Sequence, residues 1–446
     1  MSGGALDWTA LGEETVDTLR RYLAIDTTNP PGNEIEGARF LAAILDREGI
    51  ASETVEAGPG RANLVARLRG DGSLPAIVLN HHIDVVYADR RYWTVDPFGG
   101  EIQDGYLYGR GALDMKSTGV LQLVALLAIQ RARLPLKRDL IYLATADEEA
   151  GSRFGAQWVA DRRRDWIAGA EYSLTELGWI LTRHDFRAPL GLVDVSEKTG
   201  LPLRLTARAR PGHGSMPWPD SAPHKLIRAL DRLLAAERAP RVLPEVAEFF
   251  RLLAGVLPAD TGAGYDDLER SLADREFRAR LVADPQFAAM VRTTFAVTML
   301  HGSEKHNVIP PEATADIDCR MLAGDEPEEI VAWVRRAVAD PDVAVEVVSP
   351  SKKANLSPPD TELYKAVADA LRRRAPGVVV APMVLTGYTD SWTFRACGLT
   401  GYGWSPLVLD DGEIARVHGN DERVSLENLH AGVRSYAELL LAVAGA

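Results

Sequence analysis

Cysteine and long hydrophobic runs are both scarce in this chain of 446 residues. The cysteines are Cys319 and Cys397, and the lack of a CxxC pair argues against a thiolate zinc site or a disulfide framework. The most apolar run, Val120–Ile129, includes Gln122 and is far shorter than the roughly 20 residues of a membrane-spanning helix. Because Met1–Trp8 has neither a basic segment nor an apolar core, we predict no signal peptide, no membrane partner and a cytoplasmic location.

Positive charge is also in the minority, because 63 Asp and Glu residues outnumber 50 Lys and Arg residues and give a formal net charge of −13. A surface of that sign repels phosphate backbones, so we expect no nucleic-acid partner. Hydrophobic residues make up 46% of the chain and charged residues 25%, as in ordinary globular proteins with a sizeable core. At roughly 100–200 residues per domain, this length predicts several domains.

Helical and strand-like patterns alternate over the first part of the chain, which is typical of an α/β sheet flanked by helices. From Leu201–Arg210 onward, alternating apolar and polar residues predict antiparallel strands with two helices instead. The α/β pattern resumes with a predicted helix at Thr361–Arg374. We therefore expect the fold class α/β, with a mixed central sheet formed by residues 1–198 and 350–446 and a smaller α+β domain inserted at residues 199–349.

Residues 241–292 fit neither pattern, because they are helical in character and rich in Leu, Phe and Ala. We interpret them as a helical insertion within the smaller domain. Two interpretations of its role stay open at this point. The insertion is either additional core or a dimer contact, or it is an apolar wall over a substrate site.

Two motifs place histidine and aspartate side chains beside predicted elements. Asn80–Asp84 lies at the end of a predicted strand, and since alternate residues share one face, His82 and Asp84 can lie together. A carboxylate beside an imidazole can fix its tautomer, as around many metal-bound histidines, although a hydrogen-bonded histidine at a strand end is the simpler alternative. Asp114 stands just before a predicted helix, where it is either a helix cap or a metal-bridging carboxylate.

Further acidic residues gather where predicted strands end. Asp147–Glu149 follows the predicted strand Leu140–Ala146, Glu176 follows the next strand, and His418 adds an imidazole far downstream. Gathering carboxylates at the end of an apolar strand is costly unless a cation neutralises them, although solvated loop acids are an alternative. Taken together, these nitrogen and oxygen donors suit Zn²⁺, with Co²⁺ or Mn²⁺ as alternatives.

In their order along the chain, these motifs resemble those of the ArgE/DapE/aminoacylase/carboxypeptidase G-type family of co-catalytic zinc metallopeptidases. The resemblance covers nearly the whole chain, and the insertion at 241–292 resembles vacuolar carboxypeptidase S and N-acyl-amino-acid hydrolases. The matching segments are His82–Val86, Gly109–Lys116, Asp147–Glu149, Gly212–Pro217, Asn307–Pro310 and the loop of His418.

The resemblance implies two Zn²⁺ ions per subunit. The implied ligands are Asp114 as a bridge, Glu149 and His418 at one ion, and His82 and Glu176 at the other. Because Thr175–Trp179 departs from the family's usual Glu-Gly pair, Asp185 is the alternative to Glu176. We expect no ligand among the remaining histidines, which are His81, His184, His224, His301, His306 and His430.

The resemblance also implies catalytic roles. Asp84 would orient His82, and Glu148 would be the general base and acid that serves a metal-bridged hydroxide. His213 would reach the active site of a partner subunit and stabilise the oxyanion, which predicts a homodimer through the inserted domain, here a lid. The alternative for His213 is a turn histidine bonded to local backbone.

Four further residues match positions that contact substrate in relatives: Asn307, Arg320, Gly387 and Thr389. Arg320 is suited to pair with a terminal carboxylate through two hydrogen bonds, although an ordinary salt bridge on a strand is the alternative. The expected activity is therefore hydrolysis of an amide bond next to a free carboxylate, in an N-acyl amino acid or a short peptide. A dipeptidase or aminopeptidase is the alternative enzyme, and a non-catalytic metal-binding interaction protein is the alternative outside catalysis.

Overall fold

The computed structural model describes residues 6–349 and 351–446. Residues 1–5 and Pro350 lie outside this range. Most of Met1–Trp8, on which the prediction of no signal peptide depends, and the predicted domain boundary at residue 350 are therefore outside the described residues. None of the described helices is both long and apolar enough to cross a lipid bilayer.

Residues before 199 form most of a large sheet and several helices that cover it. The helices are α1 Trp8–Leu23, α2 Glu34–Arg47, α3 Lys116–Arg131 and α4 Ala156–Arg162. The strands are β1 Ser52–Gly58, β2 Arg61–Leu68, β3 Ala76–His82, β4 Ile102–Gln103, β5 Tyr106–Tyr108, β6 Leu140–Thr145, β7 Ala170–Thr175, β8 Ile180–Leu181 and β9 Leu190–Glu197.

The middle of the chain forms a separate antiparallel sheet and further helices. The strands are β10 Thr199–Gly200, β11 Leu203–Arg208, β12 Gly212–His213, β13 Thr294–His301, β14 Val308–Ile309, β15 Glu312–Met321 and β16 Val343–Val347. The helices are α5 Ala222–Ala235, α6 Pro244–Val256, α7 Leu268–Ser271, α8 Arg275–Ala283, α9 Pro285–Val291 and α10 Pro327–Val338.

The last part of the chain returns to the large sheet. Its helices are α11 Glu362–Arg374, α12 Ser391–Ala396, α13 Asp411–Ile414 and α14 Leu426–Ala444. The strands β17 Val379–Leu385, β18 Thr400–Gly403 and β19 Val408–Leu409 join the large sheet. Strand β20 Arg423–Ser425 forms a separate three-stranded sheet with β5 and β4.

The large sheet has the strand order β1-β2-β6-β3-β7-β18-β9-β8-β19, with β17 paired to β9. Its central strands β6, β3, β7 and β18 are parallel to one another. The pairs β1–β2, β2–β6 and β18–β9 are antiparallel. The apolar residues of the central strands are buried because helices cover both faces. The predicted α/β class with a mixed central sheet is confirmed.

Helix α3 positions the residues that precede it. All residues from Lys116 to Ile129 are buried, and α3 packs against α1, α14 and β3. A helix that is buried on every side is held by its surroundings, so the start of α3 is fixed relative to the sheet. Asp114 lies two residues before this start.

The inserted sheet has the order β10-β15-β11-β16, with β13 also paired to β15. Helices α5 and α10 contact each other and the sheet and form its separate hydrophobic core. This arrangement agrees with the predicted antiparallel sheet carrying two helices. We refer to it below as the lid.

Helices α6 to α9 differ from our expectation. Phe249, Phe250 and Leu253 share a core with Leu190 of β9 and Met383 of β17, so the helices pack on the large sheet rather than within the lid. None of the residues 241–292 lines the cleft described below. The insertion is therefore additional core, because helices with this much apolar surface find a larger apolar partner in β9 and β17.

Candidate metal centre and substrate cleft

The predicted ligands lie at one edge of the large sheet. Strands β6, β3 and β7 are parallel neighbours, so their carboxyl ends meet at that edge. His82 ends β3, Glu176 follows β7, and Glu148 and Glu149 lie in the short turn after β6. Open α/β sheets place ligands at this edge.

One group of donors contains His82, Asp114 and Glu176. The Nε2 atom of His82 lies 3.0 Å from Asp114 Oδ1 and 3.4 Å from Glu176 Oε2. Both the imidazole and the Glu176 carboxylate are buried. Such spacing places three metal-ligand atoms around one point.

A second group contains Asp114, Glu149 and His418. The Nε2 atom of His418 lies 3.1 Å from Asp114 Oδ2 and 3.4 Å from Glu149 Oε1. Asp114 thus directs one carboxylate oxygen to each group. A carboxylate in this position is suited to bridge two cations.

The electrostatics of the two groups fit a pair of cations. Burial, and then the charge of Asp114, raise the pKa of Glu176 well above its usual range. Burial also raises the pKa of Glu149, whose buried Oε1 faces Nε2 of His418 at 3.4 Å. Hydrogen bonds to Asp114 and Glu149 raise the pKa of His418 to about 10. Positive charge supplied at the centre would relieve this cost, and the mixed nitrogen and oxygen donors fit Zn²⁺.

The tautomer of His82 is fixed by backbone. Its Nδ1–H donates to the carbonyl oxygen of Asp84 at 2.9 Å, which leaves Nε2 as the lone-pair donor toward the first group. The Asp84 carboxylate lies farther away, at 3.7 Å from Nδ1. It accepts instead from the backbone N–H groups of Glu148 and Glu149, both at 3.1 Å. Asp84 therefore orients the ring through its carbonyl and the acidic turn through its side chain.

The loop of Asp114 is held by Glu422, which we did not predict as a site residue. Glu422 accepts from the N–H groups of Leu113 at 2.7 Å and Asp114 at 3.1 Å. Its other oxygen pairs with the buried guanidinium of Arg110 at 2.7 Å. The Gly-Arg-Gly motif and the acidic residues after His418 contained these residues, but neither pattern indicated that they pair.

Glu148 lies beside the two donor groups and belongs to neither. Burial, followed by the charge of Glu176, raises the pKa of Glu148 well above its usual range. Its side chain lines a cleft of about 490 Å³ between the large sheet and the lid. Glu149 lines the same cleft but belongs to the second donor group, so the two adjacent acids differ in whether they could hold a metal.

Two of the four predicted substrate residues line the cleft, namely Arg320 and Gly387. Thr389 does not, because its buried hydroxyl donates to the carboxylate of Glu197 beneath the site. The hydroxyl of Thr389 is therefore engaged away from the cleft, and contact of this residue with substrate stays a prediction. The hydrogen bond from Thr389 to Glu197 holds the loop after β17 against the end of β9.

His213 and Asn307 lie together on the two-stranded ribbon of β12 and β14. The N–H of Gly214 donates to the carbonyl oxygen of Asn307 at 2.9 Å, and no described residue donates a hydrogen bond to the buried Oδ1 of Asn307. The imidazole of His213 is exposed, with its Nδ1 2.7 Å from the hydroxyl of Ser215. Neither residue lines the cleft of its own chain.

The alternative ligand and the other histidines lie outside both donor groups. Asp185 pairs with Arg183 at 3.2 Å near the helical insertion. His81 is buried between Tyr22, Tyr142 and Gly119, where any side chain on the glycine would collide with the imidazole. Burial lowers the pKa of His81 to about 3, which suits a neutral packing residue.

Comparison with known proteins identifies the family. A profile for Peptidase family M20/M25/M40 matches residues 78–442, a range that includes every member of both donor groups. The chain belongs to the peptidase M20 family. The family resemblance derived from the motifs is confirmed.

Two curated relatives and one solved structure illustrate the M20 match. N-fatty-acyl-amino acid synthase/hydrolase PM20D1 of Xenopus tropicalis is 31% identical over 395 residues, covering 85% of this chain and 75% of the relative. Probable carboxypeptidase S-like 2 of Dictyostelium discoideum is 30% identical over 390 residues, covering 85% of this chain and 74% of the relative. The crystal structure of human carnosine dipeptidase 1 shares the fold with a TM-score of 0.69 at 18% identity, covering 99% of each chain.

As an M20 protein, the chain is a metal-dependent hydrolase of amide or peptide bonds. The two donor groups joined by Asp114 indicate a dinuclear metal site. The predicted enzyme class is confirmed, and the interpretation as a non-catalytic protein is no longer needed.

Proposed function

We propose that this M20 protein hydrolyses the amide bond next to a free carboxylate in N-acyl amino acids, or in short peptides cut from the carboxyl end. The observation that carries the proposal is the shared carboxylate of Asp114, with one oxygen near His82 and the other near His418. Such a bridge suits cations about 3.5–4 Å apart, the spacing of co-catalytic hydrolases. The activity in the name of the Xenopus relative supports an N-acyl amino acid as substrate.

Zn²⁺ is the proposed resident metal, with Co²⁺ or Mn²⁺ as alternatives. His82, Asp114 and Glu176 would hold one ion, and Asp114, Glu149 and His418 the other. When bound, such a pair of cations would lower the pKa of the attacking water and polarise the scissile carbonyl.

Glu148 is the proposed general base and acid. It takes a proton from the attacking water and returns it to the leaving amine. The Asp84 carboxylate holds its backbone N–H at 3.1 Å, which aims the side chain at the cleft. Burial raises its pKa, and this favours proton uptake during the attack.

We also propose a homodimer in which His213 polarises the carbonyl in the cleft of the partner subunit. Strand β13 pairs only with β15 among the described strands and exposes Met299 and Leu300 at the lid surface. Ile227 and Leu234 of α5 are exposed as well, with relative accessibilities of 62% and 60%. An edge strand beside exposed apolar side chains supports pairing of two lids.

A dipeptidase is the second candidate, because Asp318 also lines the cleft and its carboxylate can bind a free amine. The two candidates differ in the group beyond the scissile bond, which is an acyl chain in one and an aminoacyl residue in the other. However, Oδ1 of Asp318 lies 2.8 Å from Nε of Arg320, so part of the negative charge of Asp318 is already neutralised.

The test compares turnover of N-acetyl-leucine, N-dodecanoyl-leucine and leucyl-leucine by protein loaded with Zn²⁺. Faster turnover of either N-acyl substrate supports the first candidate, and faster turnover of the free dipeptide supports the second. No turnover of any of them by protein with verified bound metal would contradict the proposed function.

A further inference from the structure

One cation in the cleft has no role in the family motifs. Lys352 lies at the return from the lid to the large sheet and lines the same cleft as Glu148 and Gly387. Its side chain is half-buried. A charged amine held away from water in a substrate cleft is costly unless something interacts with it there.

The ammonium of Lys352 lies against two aromatic rings. Its Nζ atom is 4.5 Å from the ring centroid of Trp392 and 5.2 Å from that of Tyr388, and both rings line the cleft. Cation–π contacts of this kind fix the position of an ammonium without consuming its hydrogens in hydrogen bonds. The Tyr388 hydroxyl is engaged with the hydroxyl of Thr393 at 3.0 Å, so the ring is itself held in place.

Among the described residues, the ammonium of Lys352 has no close partner of opposite charge. Within the described residues, no carboxylate lies within 4.0 Å of its Nζ, and no oxygen accepts a hydrogen bond from it. Burial lowers its pKa, and the nearest acids, Asp390 first, act on it only at a distance. The three N–H donors of a fixed ammonium are therefore available to a ligand.

Arg320, the cation that the motifs point to, is in a different state. Its Nε donates to the Asp318 carboxylate at 2.8 Å, and both side chains are partly exposed. A substrate carboxylate would compete with Asp318 for that guanidinium. Lys352 presents no such competitor.

We propose that Lys352, held by Trp392 and Tyr388, forms the subsite that binds the free carboxylate of the substrate. The inference rests on the proposed function, since it concerns the carboxylate next to the scissile amide. The cleft volume of about 490 Å³ accommodates an amino acid with an acyl group between Glu148 and this subsite. Recognition of the carboxylate thus belongs to the large domain, and Arg320 adds to it from the lid.

The kinetic test compares N-acetyl-leucine with N-acetyl-leucinamide, which lacks the negative charge. We expect Lys352→Met to raise KM for the acid by about 10- to 100-fold, as for loss of a charge-assisted hydrogen bond, with little change for the amide. Lys352→Arg should restore most of the affinity. The matched control is Lys353→Met, because Lys353 is 79% exposed and faces Glu326 at 3.3 Å.

Two results of this comparison would overturn the subsite. One is an equal loss for the acid and the amide in Lys352→Met, which indicates a structural role. The other is a selective loss for the acid in Arg320→Met that is absent from Lys352→Met, which assigns the carboxylate to Arg320. Thermal unfolding of each variant shows whether a rise in KM comes from misfolding. If Lys352→Met misfolds, the comparison of KM for the acid and the amide is made with Lys352→Arg instead.

A second measurement does not depend on turnover. In the Glu148→Gln variant, reductive methylation of lysines is followed by mass spectrometry with N-acetyl-leucine or N-acetyl-leucinamide present. We expect the acid, and not the amide, to protect Lys352 while Lys353 reacts equally in both. Equal reaction of Lys352 with the acid and with the amide would contradict the subsite, even if the unsubstituted enzyme is active. If the acid protects Lys352 but the unsubstituted protein cleaves no amide, the subsite stands and the proposed function is overturned.

Discussion

The carboxylate of Glu422 accepts a hydrogen bond of 3.1 Å from the backbone N–H of Asp114, although the two residues are 308 positions apart. The other oxygen of Glu422 pairs with Arg110 at 2.7 Å, and both side chains are almost fully buried. The proposed bridging ligand thus depends on a buried ion pair that spans the two halves of the large domain.

Replacing Glu422 with alanine should therefore lower both stability and metal affinity. Removing one partner of a buried ion pair typically costs about 3–5 kcal/mol, because the remaining charge is buried without compensation. The free energy of unfolding is measured in urea, and bound metal is measured by mass spectrometry. The control is Glu438→Ala, since Glu438 pairs with Arg434 at the surface and such pairs contribute about 0–1 kcal/mol. Similar stability and metal content in the two variants would contradict this dependence.

Glu148 and Glu149 offer a matched pair of substitutions in adjacent residues. We expect Glu148→Gln to abolish turnover while retaining bound metal, because the side chain belongs to neither donor group. Glu149→Gln should lose one metal ion, because its Oε1 faces His418 at 3.4 Å. Metal content and turnover are measured on the same samples. Normal turnover of Glu148→Gln would refute its role as the base.

The dimer proposal predicts complementation between two inactive variants. If His213 acts in the cleft of the partner subunit, mixing His213→Ala with Glu148→Gln should restore part of the activity through hybrid dimers. Each hybrid contains one cleft with an intact Glu148 and a partner with an intact His213. Subunit exchange is verified with differently tagged chains, and no recovery after exchange would exclude action across the dimer.

Lys198 predicts a distinctive pH dependence of stability. Its buried ammonium donates to the carbonyl oxygens of Ala289 at 3.0 Å and Arg292 at 2.7 Å, and burial lowers its pKa to about 8. Because the unfolded chain keeps this proton up to an ordinary lysine pKa near 10.5, the unfolded state binds more protons between pH 8 and 10.5. The free energy of unfolding should therefore gain a contribution from Lys198 as pH rises through that window.

The measurement is urea unfolding at several pH values for the protein and for Lys198→Met. Other groups titrate in the same window, so the relevant quantity is the difference between the two curves. The free energy of unfolding of the unsubstituted protein should increase relative to that of Lys198→Met between pH 8 and 10.5. Below pH 8 the difference should stay constant. A difference independent of pH would show that Lys198 keeps its ordinary pKa in the folded state.

Local patterns predicted much of the sheet edge. Alternation along a strand indicated that His82 and Asp84 share a side, and acids directly after apolar strands indicated Glu149 and Glu176. Because β6, β3 and β7 are parallel neighbours, residues that directly follow these strands lie at the same edge of the sheet. The approach of His418 followed from the family resemblance alone, because no local pattern connects it to Asp114.

Contacts between distant segments could not be predicted in this way. The pairing of Glu422 with Arg110 depends on how the two halves of the large domain meet. The stacking of Lys352 on Trp392 depends on how the segment after the lid folds back onto α12. The hydrogen bond from Thr389 to Glu197 has the same origin, since only the path of the loop after β17 turns its hydroxyl toward that carboxylate. The helical insertion was placed in the wrong domain because an apolar helix does not specify its partner.

The shared carboxylate of Asp114 has a consequence for how the centre fills. Because both donor groups share Asp114, a second cation would meet an already engaged ligand and a like charge nearby. We therefore expect two unequal metal affinities, with singly occupied protein as the main species when metal is limiting. In a cell with scarce metal, the amount of active enzyme would track the weaker of the two affinities.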